Sequence, residues 1–182
     1  MTDLTLQDDT DGLKMERSAE PPGGLRIPAR FEARDFYIEV TPDQTIEHML
    51  TIIATEHGLR IEDIYIVREN EDAPLICEEP VHHGHQRRHH VHHRQPVAVT
   101  VHYQTGSHHR EFRRHASLEQ VLDWAIRAFG IDASMAGEFE LTRTGSTDEL
   151  SLSDHVGHLA GKHNALALDL VRGDIANGAD HA

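Results

Sequence analysis

The stretch VTPDQTIEHMLTIIATEHGLRIEDIYIV, Val40 to Val67, decides how this chain folds. Thr45 stands where it can cap a helix, and Ile46, Met49, Leu50 and Ile53 fall at i, i+3, i+4 and i+7, so they share one face. Gly58 then supplies the left-handed residue on which helices stop. Past that stop, IEDIYIVRE (61–69) is dense in β-branched and aromatic residues and reads as a strand. Upstream, LRIPARFEA (25–33) and FYIEV (36–40) are strand-like runs around a tight turn near Ala33 to Asp35. Downstream, NEDAP (70–74) reads as a turn and LIC (75–77) as a short fourth strand.

The same order then comes round again. VAVTVHYQ (97–104), a turn at TGS (105–107) and REFRRH (110–115) precede a helix opened by Ser117, with Gln120 three residues on as in a capping box. Leu118, Val121, Leu122, Ala125 and Phe129 line its inner face, Trp124 and Ile126 fall beside or outside that face, and Gly130 ends it. The two helices match at an offset of 72 residues. Beyond them EFELTRTGSTDELSL (138–152) lies over DIYIVRENEDAPLIC (63–77) at an offset of 75, as if three residues were inserted near Ser134. An internal duplication accounts for this agreement. Its unit is strand, strand, helix, strand, short strand, strand: an α+β arrangement in which a sheet grips one helix.

The chain has 182 residues, room for two small domains. Residues 1–24 mix acids, Ser, Thr, Pro and Gly without periodicity and read as a disordered N-terminal arm; 25–95 form the first domain, 96–173 the second, and 174–182 a C-terminal extension. With 31 acidic residues against 17 basic ones and a formal net charge of −14, neither nucleic acid nor an anionic membrane is expected as a partner, since phosphate affinity needs clustered Lys and Arg. The single cysteine, Cys77, precludes an internal disulfide, and Glu78 and Glu79 beside it oppose thiolate formation, so it reads as a packed thiol. No run approaches the roughly 18 apolar residues of a membrane span, no basic and apolar leader opens the sequence, and a cytoplasmic location is expected. No phosphate-binding glycine loop follows a strand and no spaced set of His and acid resembles a hydrolase centre, so the chain is not expected to be an enzyme or to carry a cofactor.

Seven histidines crowd VHHGHQRRHHVHHRQP (81–96): His82, His83, His85, His89, His90, His92 and His93. Neutral imidazoles bind zinc, nickel or copper, so these seven are metal candidates. With no geometry fixed and no thiolate or carboxylate in register, the plainer reading is a solvated linker with no metal site. The repeat offers a third reading. At the offset of 75, HHVHHRQ (89–95) lies over NALALDL (164–170), the closing strand of the second unit, which makes the first domain's closing strand degenerate and polar. That domain is then expected to be the weaker one, loosening first as these histidines protonate near pH 6.

Two stretches carry a family resemblance. Val40 to Val67 resembles ubiquitin from its second strand through its helix to its third strand, and LSLSDHVGHLAGKHNALALDLVRG (150–173) resembles ubiquitin from its Leu-Ser-Asp turn to its C-terminal arginine and glycine. The chain is thereby similar to tandem β-grasp, ubiquitin-like modifiers, among them the two-domain modifiers of bacterial antiphage conjugation operons. The resemblance implies a processed modifier whose C-terminal glycine is adenylated by a ubiquitin-activating-like enzyme, passed to a conjugating enzyme and joined to target proteins. A metal-dependent deconjugating protease would trim and remove it.

On this reading Gly173 is the conjugation and processing residue, with Gly178 as the alternative, and Arg172 steers the tail toward acidic pockets. Glycine suits a reacting position that must enter a narrow cleft, because it has no side chain. Residues 174–182 would then be a propeptide. Recognition would use the sheet face opposite the helix: His163 and the outward residues Ala167, Asp169 and Val171 of the last strand. The competing reading is a non-covalent tandem adaptor with an inert tail.

Overall fold

The computed structural model describes residues 23–82 and 87–173. The expected N-terminal arm (all but its last two residues), His83, His85, Gly178 and the expected propeptide lie outside the described residues. Each half of the chain builds one four-stranded sheet. The first contains β1 (Leu25–Phe31), β2 (Arg34–Val40), β3 (Ile64–Arg68) and β4 (His89–His93) in the order β2-β1-β4-β3, packed on helix α1 (Ile46–His57). The second contains β5 (Val97–Tyr103), β6 (Gly106–Phe112), β7 (Phe139–Arg143) and β8 (Ala165–Arg172) in the order β6-β5-β8-β7, packed on α2 (Leu118–Ala128), with a short helix α3 (Val156–Ala160) before β8. In both, the last strand lies parallel to the first and antiparallel to the third. These are two tandem β-grasp domains, α+β, and His89–His93 of the His-rich run is the closing strand of the first.

The helix signals act as the sequence requires. The Thr45 and Ser117 hydroxyls accept from the His48 and Gln120 amides at 3.4 and 3.3 Å, and Gly58 and Gly130 take left-handed φ of 65° and 66°. Ile46, Met49 and Ile53 on α1 and Leu118, Val121 and Ala125 on α2 are each 0% exposed. Ile126 departs from expectation: it is buried, and Trp124 packs edge-on to Phe112 instead of standing clear of the sheet. The hairpins turn at Glu32–Ala33 and at Gln104–Thr105, slightly before the expected TGS in the second, and Glu32 and Gln104 both have φ of 53°.

Leu75–Cys77 is not a strand. Its neighbourhood has another duty: the carbonyls of Cys77 and Glu79 accept from the amides of Glu47 and Ile46, the otherwise unpaired donors of the first turn of α1. The Leu152 and Asp154 carbonyls do the same for Glu119 and Leu118. The loop is a helix cap in both domains, which overrides its apolar composition.

The solvated-linker reading fails for residues 89–93. β4 sits at the centre of its sheet, with Ala29 opposite His89 and Phe31 opposite Val91, and Val91 belongs to the first core. Its alignment with the second unit also changes. Arg30 pairs His90 where His102 pairs Asp169, and Tyr65 faces His92 where Glu140 faces Val171, so β4 matches β8 at an offset of 79 instead of 75. The four-residue difference preserves the alternation, so Val91 still points at the core. His90 and His92 point the other way.

Candidate functional site

Strand β8 carries its leucines inward: Leu166, Leu168 and Leu170 are 6%, 0% and 3% exposed. Ala167, Asp169 and Val171 occupy the opposite face as expected, Ala167 exposed and the other two half-buried, and His163 is exposed nearby. The Thr144 hydroxyl donates to Asp169 at 2.9 Å. The sheet ends in a latch. The Gly173 amide donates to the Glu138 carbonyl at 2.8 Å, and the Arg172 guanidinium pairs with the Glu138 carboxylate, its Nε at 2.9 Å. Only Val171 and Arg172 separate the last core leucine from Gly173.

Nothing in the fold demands glycine at 173. Its φ is not left-handed, and a Cβ there would stand 3.3 Å from the tip of the flexible Glu140 side chain. Gly157 in α3 is different. A Cβ there would lie 2.6 Å from His92 Nδ1, 2.7 Å from Arg114 Cβ and 2.9 Å from the Arg114 carbonyl, so a close approach fixes glycine.

That approach is the contact between the domains. The face of the first sheet opposite α1 presents Arg30, His90, His92 and Tyr65, and the second domain covers it with His155, the N-cap of α3, with His158 inside α3, and with His115. His90 Nδ1 lies 2.8 Å from His158 Nε2, and His92 Nε2 lies 2.9 Å from His155 Nδ1, in each case one ring donating and the other accepting. Tyr65 Oη lies 3.0 Å from His115 Nδ1, and Arg30 reaches Asp154 at 3.7 Å. Arg114, 1% exposed, donates to the carbonyls of Gln95, Gly161 and His163 and to Asn164 Oδ1, all at 2.7–2.8 Å, tying the interdomain connection to the loop before β8. A buried guanidinium with its donors occupied in this way can sit in the interior without a carboxylate partner.

Burial holds the four rings neutral. It is the main cause for each, and it lowers His90 to about 3, His155 to about 4 and His158 to about 2, with His92 well below its ordinary value. The rings discourage charge on one another, and Arg30 adds to this for His90, His155 and His158. Asp154 and Asp72 act in the opposite sense on His155, and the Glu32 backbone does so on His158.

The structure thus brings together two of the seven histidines of the tract with two that the sequence reading passed over. His82 is exposed, His89 is buried in β4, and His93 faces Glu32 at 3.4 Å. A signal for the missed pair existed: His-x-His in a strand and His-x-x-His at a helix start each put both rings on one face. Nothing local said that the two faces would meet.

The fold is that of tandem ubiquitin-like, β-grasp domains. More particularly, residues 98–173 match the family model of BilA ubiquitin-like domain 2. Among solved structures, Caldiarchaeum subterraneum ubiquitin is 13% identical over 44% of this chain and 98% of its own, with a TM-score of 0.36. The N-terminal ubiquitin-like domain of the 4931431F19Rik protein is 11% identical over 48% of this chain and 84% of its own, with a TM-score of 0.36. A chain of the pParkin–pUb–UbcH7 complex is 21% identical over 42% of this chain and 25% of its own, with a TM-score of 0.35. No curated protein matches the chain. No helix among the described residues is long and apolar enough to cross a membrane.

Proposed function

We propose that the chain is a protein modifier, not an enzyme, trimmed to a C-terminal glycine and conjugated to target proteins by activating and conjugating enzymes, with a metal-dependent protease trimming and releasing it. The observation that carries this reading is Gly173. It follows directly from the strand at the centre of the second sheet, and the fold places no demand for glycine there. A side-chain-free residue is what passage of a carboxylate through a narrow cleft requires. The match to BilA, a bacterial antiphage operon protein, supports a role in antiphage defence in the bacterial cytoplasm. The faces around Ala167, Asp169, Val171 and His163 would meet the enzymes.

The latch on Glu138 bears on which glycine reacts. One amide hydrogen bond is worth about 1 kcal/mol net and an exposed ion pair about 0–1 kcal/mol, so lifting Gly173 off the body is inexpensive. Gly173 therefore stays the expected site. Gly178, five residues on, is the alternative because it would leave a longer lead. Co-expression with the cognate protease followed by intact-mass measurement decides: loss of 174–182 selects Gly173, and loss of 179–182 selects Gly178. An unchanged mass, with no thioester on the activating enzyme in the presence of ATP, would instead mean a non-covalent adaptor.

A further inference from the structure

We propose that His90, His92, His155 and His158 form a divalent-metal site of the zinc class that ties the two domains together. The four rings occupy the corners of a flattened tetrahedron, its two longest edges running between His90 and His92 and between His155 and His158. Their six centroid separations are 4.4, 4.5, 5.1, 5.1, 5.5 and 6.4 Å. Four imidazoles around one tetrahedral zinc, with Zn–N near 2.0–2.1 Å, place their ring centres about 5.2 Å apart, inside that spread. Ligand nitrogens of His90, His155 and His158 already lie within 4.8 Å of one another; His92 stands outside that group of three and joins it through His155, 2.9 Å away.

The hydrogen-bonded nitrogens, at 2.8 and 2.9 Å, are slightly too close for a shared ion. Tetrahedral coordination wants about 3.3 Å between ligand atoms, so each bonded pair must open by about half an ångström, and the His92 ring must turn inward to join the other three.

Chemistry narrows the ion. An all-imidazole donor set suits zinc, copper or nickel and disfavours magnesium and calcium, which take oxygen. The rings are held uncharged; in each bonded pair the accepting nitrogen has its lone pair, and the donating ring must move its proton to its other nitrogen as the ion binds. Four protein ligands leave no open position, which marks a structural site and not a hydrolytic one. His158 Nδ1 is buried without a well-formed hydrogen bond and experiences the Glu32 backbone, the type of outer partner that orients a ligating imidazole. Arg30 and Arg88 are cations near His90 that oppose a bound ion, and the contact of Arg30 with Asp154 offsets its share.

The test is zinc binding by the full chain, freed of metal by a chelator and titrated against a chromophoric competitor, with Co2+ as a spectroscopic substitute. Expected are one ion per chain at this site, the intense visible absorption of tetrahedral Co2+, and a rise in Tm on adding zinc. His155→Ala, at the half-buried edge of the cluster, and His158→Gln should each weaken binding at least ~100-fold, beyond the effect of losing an outer partner. A His82→Ala/His83→Ala/His85→Ala chain should keep the site. The proposal is overturned if His155→Ala and His158→Gln bind as the parent does, if the triple variant abolishes binding, or if Co2+ gives only the weak absorption of an octahedral ion. Circular dichroism of each variant separates loss of ligand from loss of fold, and zinc must raise Tm in the parent but not in a folded His155→Ala chain. Trimming at the C-terminal glycine should be unaffected, so failure here leaves the modifier reading standing.

Discussion

Strands β4 and β8 fill the same slot, each between the first and third strand of its sheet, and yet one reads HHVHH and the other ALALDLVR. The register sets His90 against Asp169 and His92 against Val171. In the second domain that outward face is partly open, and in the first it is sealed by His155, His158 and His115. The polarity of β4 therefore belongs, at His90 and His92, to a contact between domains. The sheet face of the first domain is covered by the second, whereas the face around Ala167 stays exposed.

The largest effect should come from the apolar member of the pair. Leu168 is 0% exposed at the centre of the second sheet, so Leu168→Ala should lower unfolding free energy by about 2–5 kcal/mol in urea denaturation. His90→Ala touches no core leucine and should act mainly on the interface. If both variants lost the same stability and the same cooperativity, the assignment of β4's outward face to the interdomain contact would fail.

Acid should come next. The four rings have folded-state values below the ordinary 6.5, with His90 at about 3 and His158 at about 2. The unfolded chain thus takes up protons first: the stabilisation is full above about pH 6.5 and drains as pH falls toward the folded values. Moving metal-free protein from pH 7.5 to 5.5 should cost about 1 kcal/mol for each well-buried ring, or about 3 kcal/mol for His90, His92 and His158 together. Because the rings are shared, the interface should part before either core. Loosening of the first domain before the second, the expectation from its polar strand alone, would instead show as two separate unfolding steps. A flat stability profile over this range would sink the idea.

Two glycines sharpen the comparison further. Gly157→Ala drives a Cβ into His92 and the Arg114 backbone and should cost about 1–3 kcal/mol. Gly173→Ala meets only the Glu140 tip and should leave Tm unchanged while impairing conjugation.

What could be read in advance follows from range. Thr45, Ser117, Gly58 and Gly130 declare their helices within a few residues, and the offset of 72 reproduced both domains. The Cys77 loop has apolar letters that resemble a strand, while its carbonyls answer to amides of a helix some thirty residues away. The four-histidine cluster is illegible for the same reason: His90 and His158 are 68 residues apart, and only the packing of one domain on the other makes them neighbours.

The smallest effect concerns the latch. Glu138→Ala removes the ion pair to Arg172 but keeps the backbone bond from Gly173 to the residue 138 carbonyl. Since an exposed pair holds at most about 1 kcal/mol, stability should be unchanged within error. If the protease cuts after Gly173, that residue must leave the sheet edge to be cut, and a weakened latch should speed trimming by up to about fivefold, the kinetic equivalent of the same energy. If it cuts after Gly178, Arg172 can stay docked and the rate should not move. The ratio of trimming rates for the two chains thus reports whether the reacting glycine lies on the folded edge or beyond it.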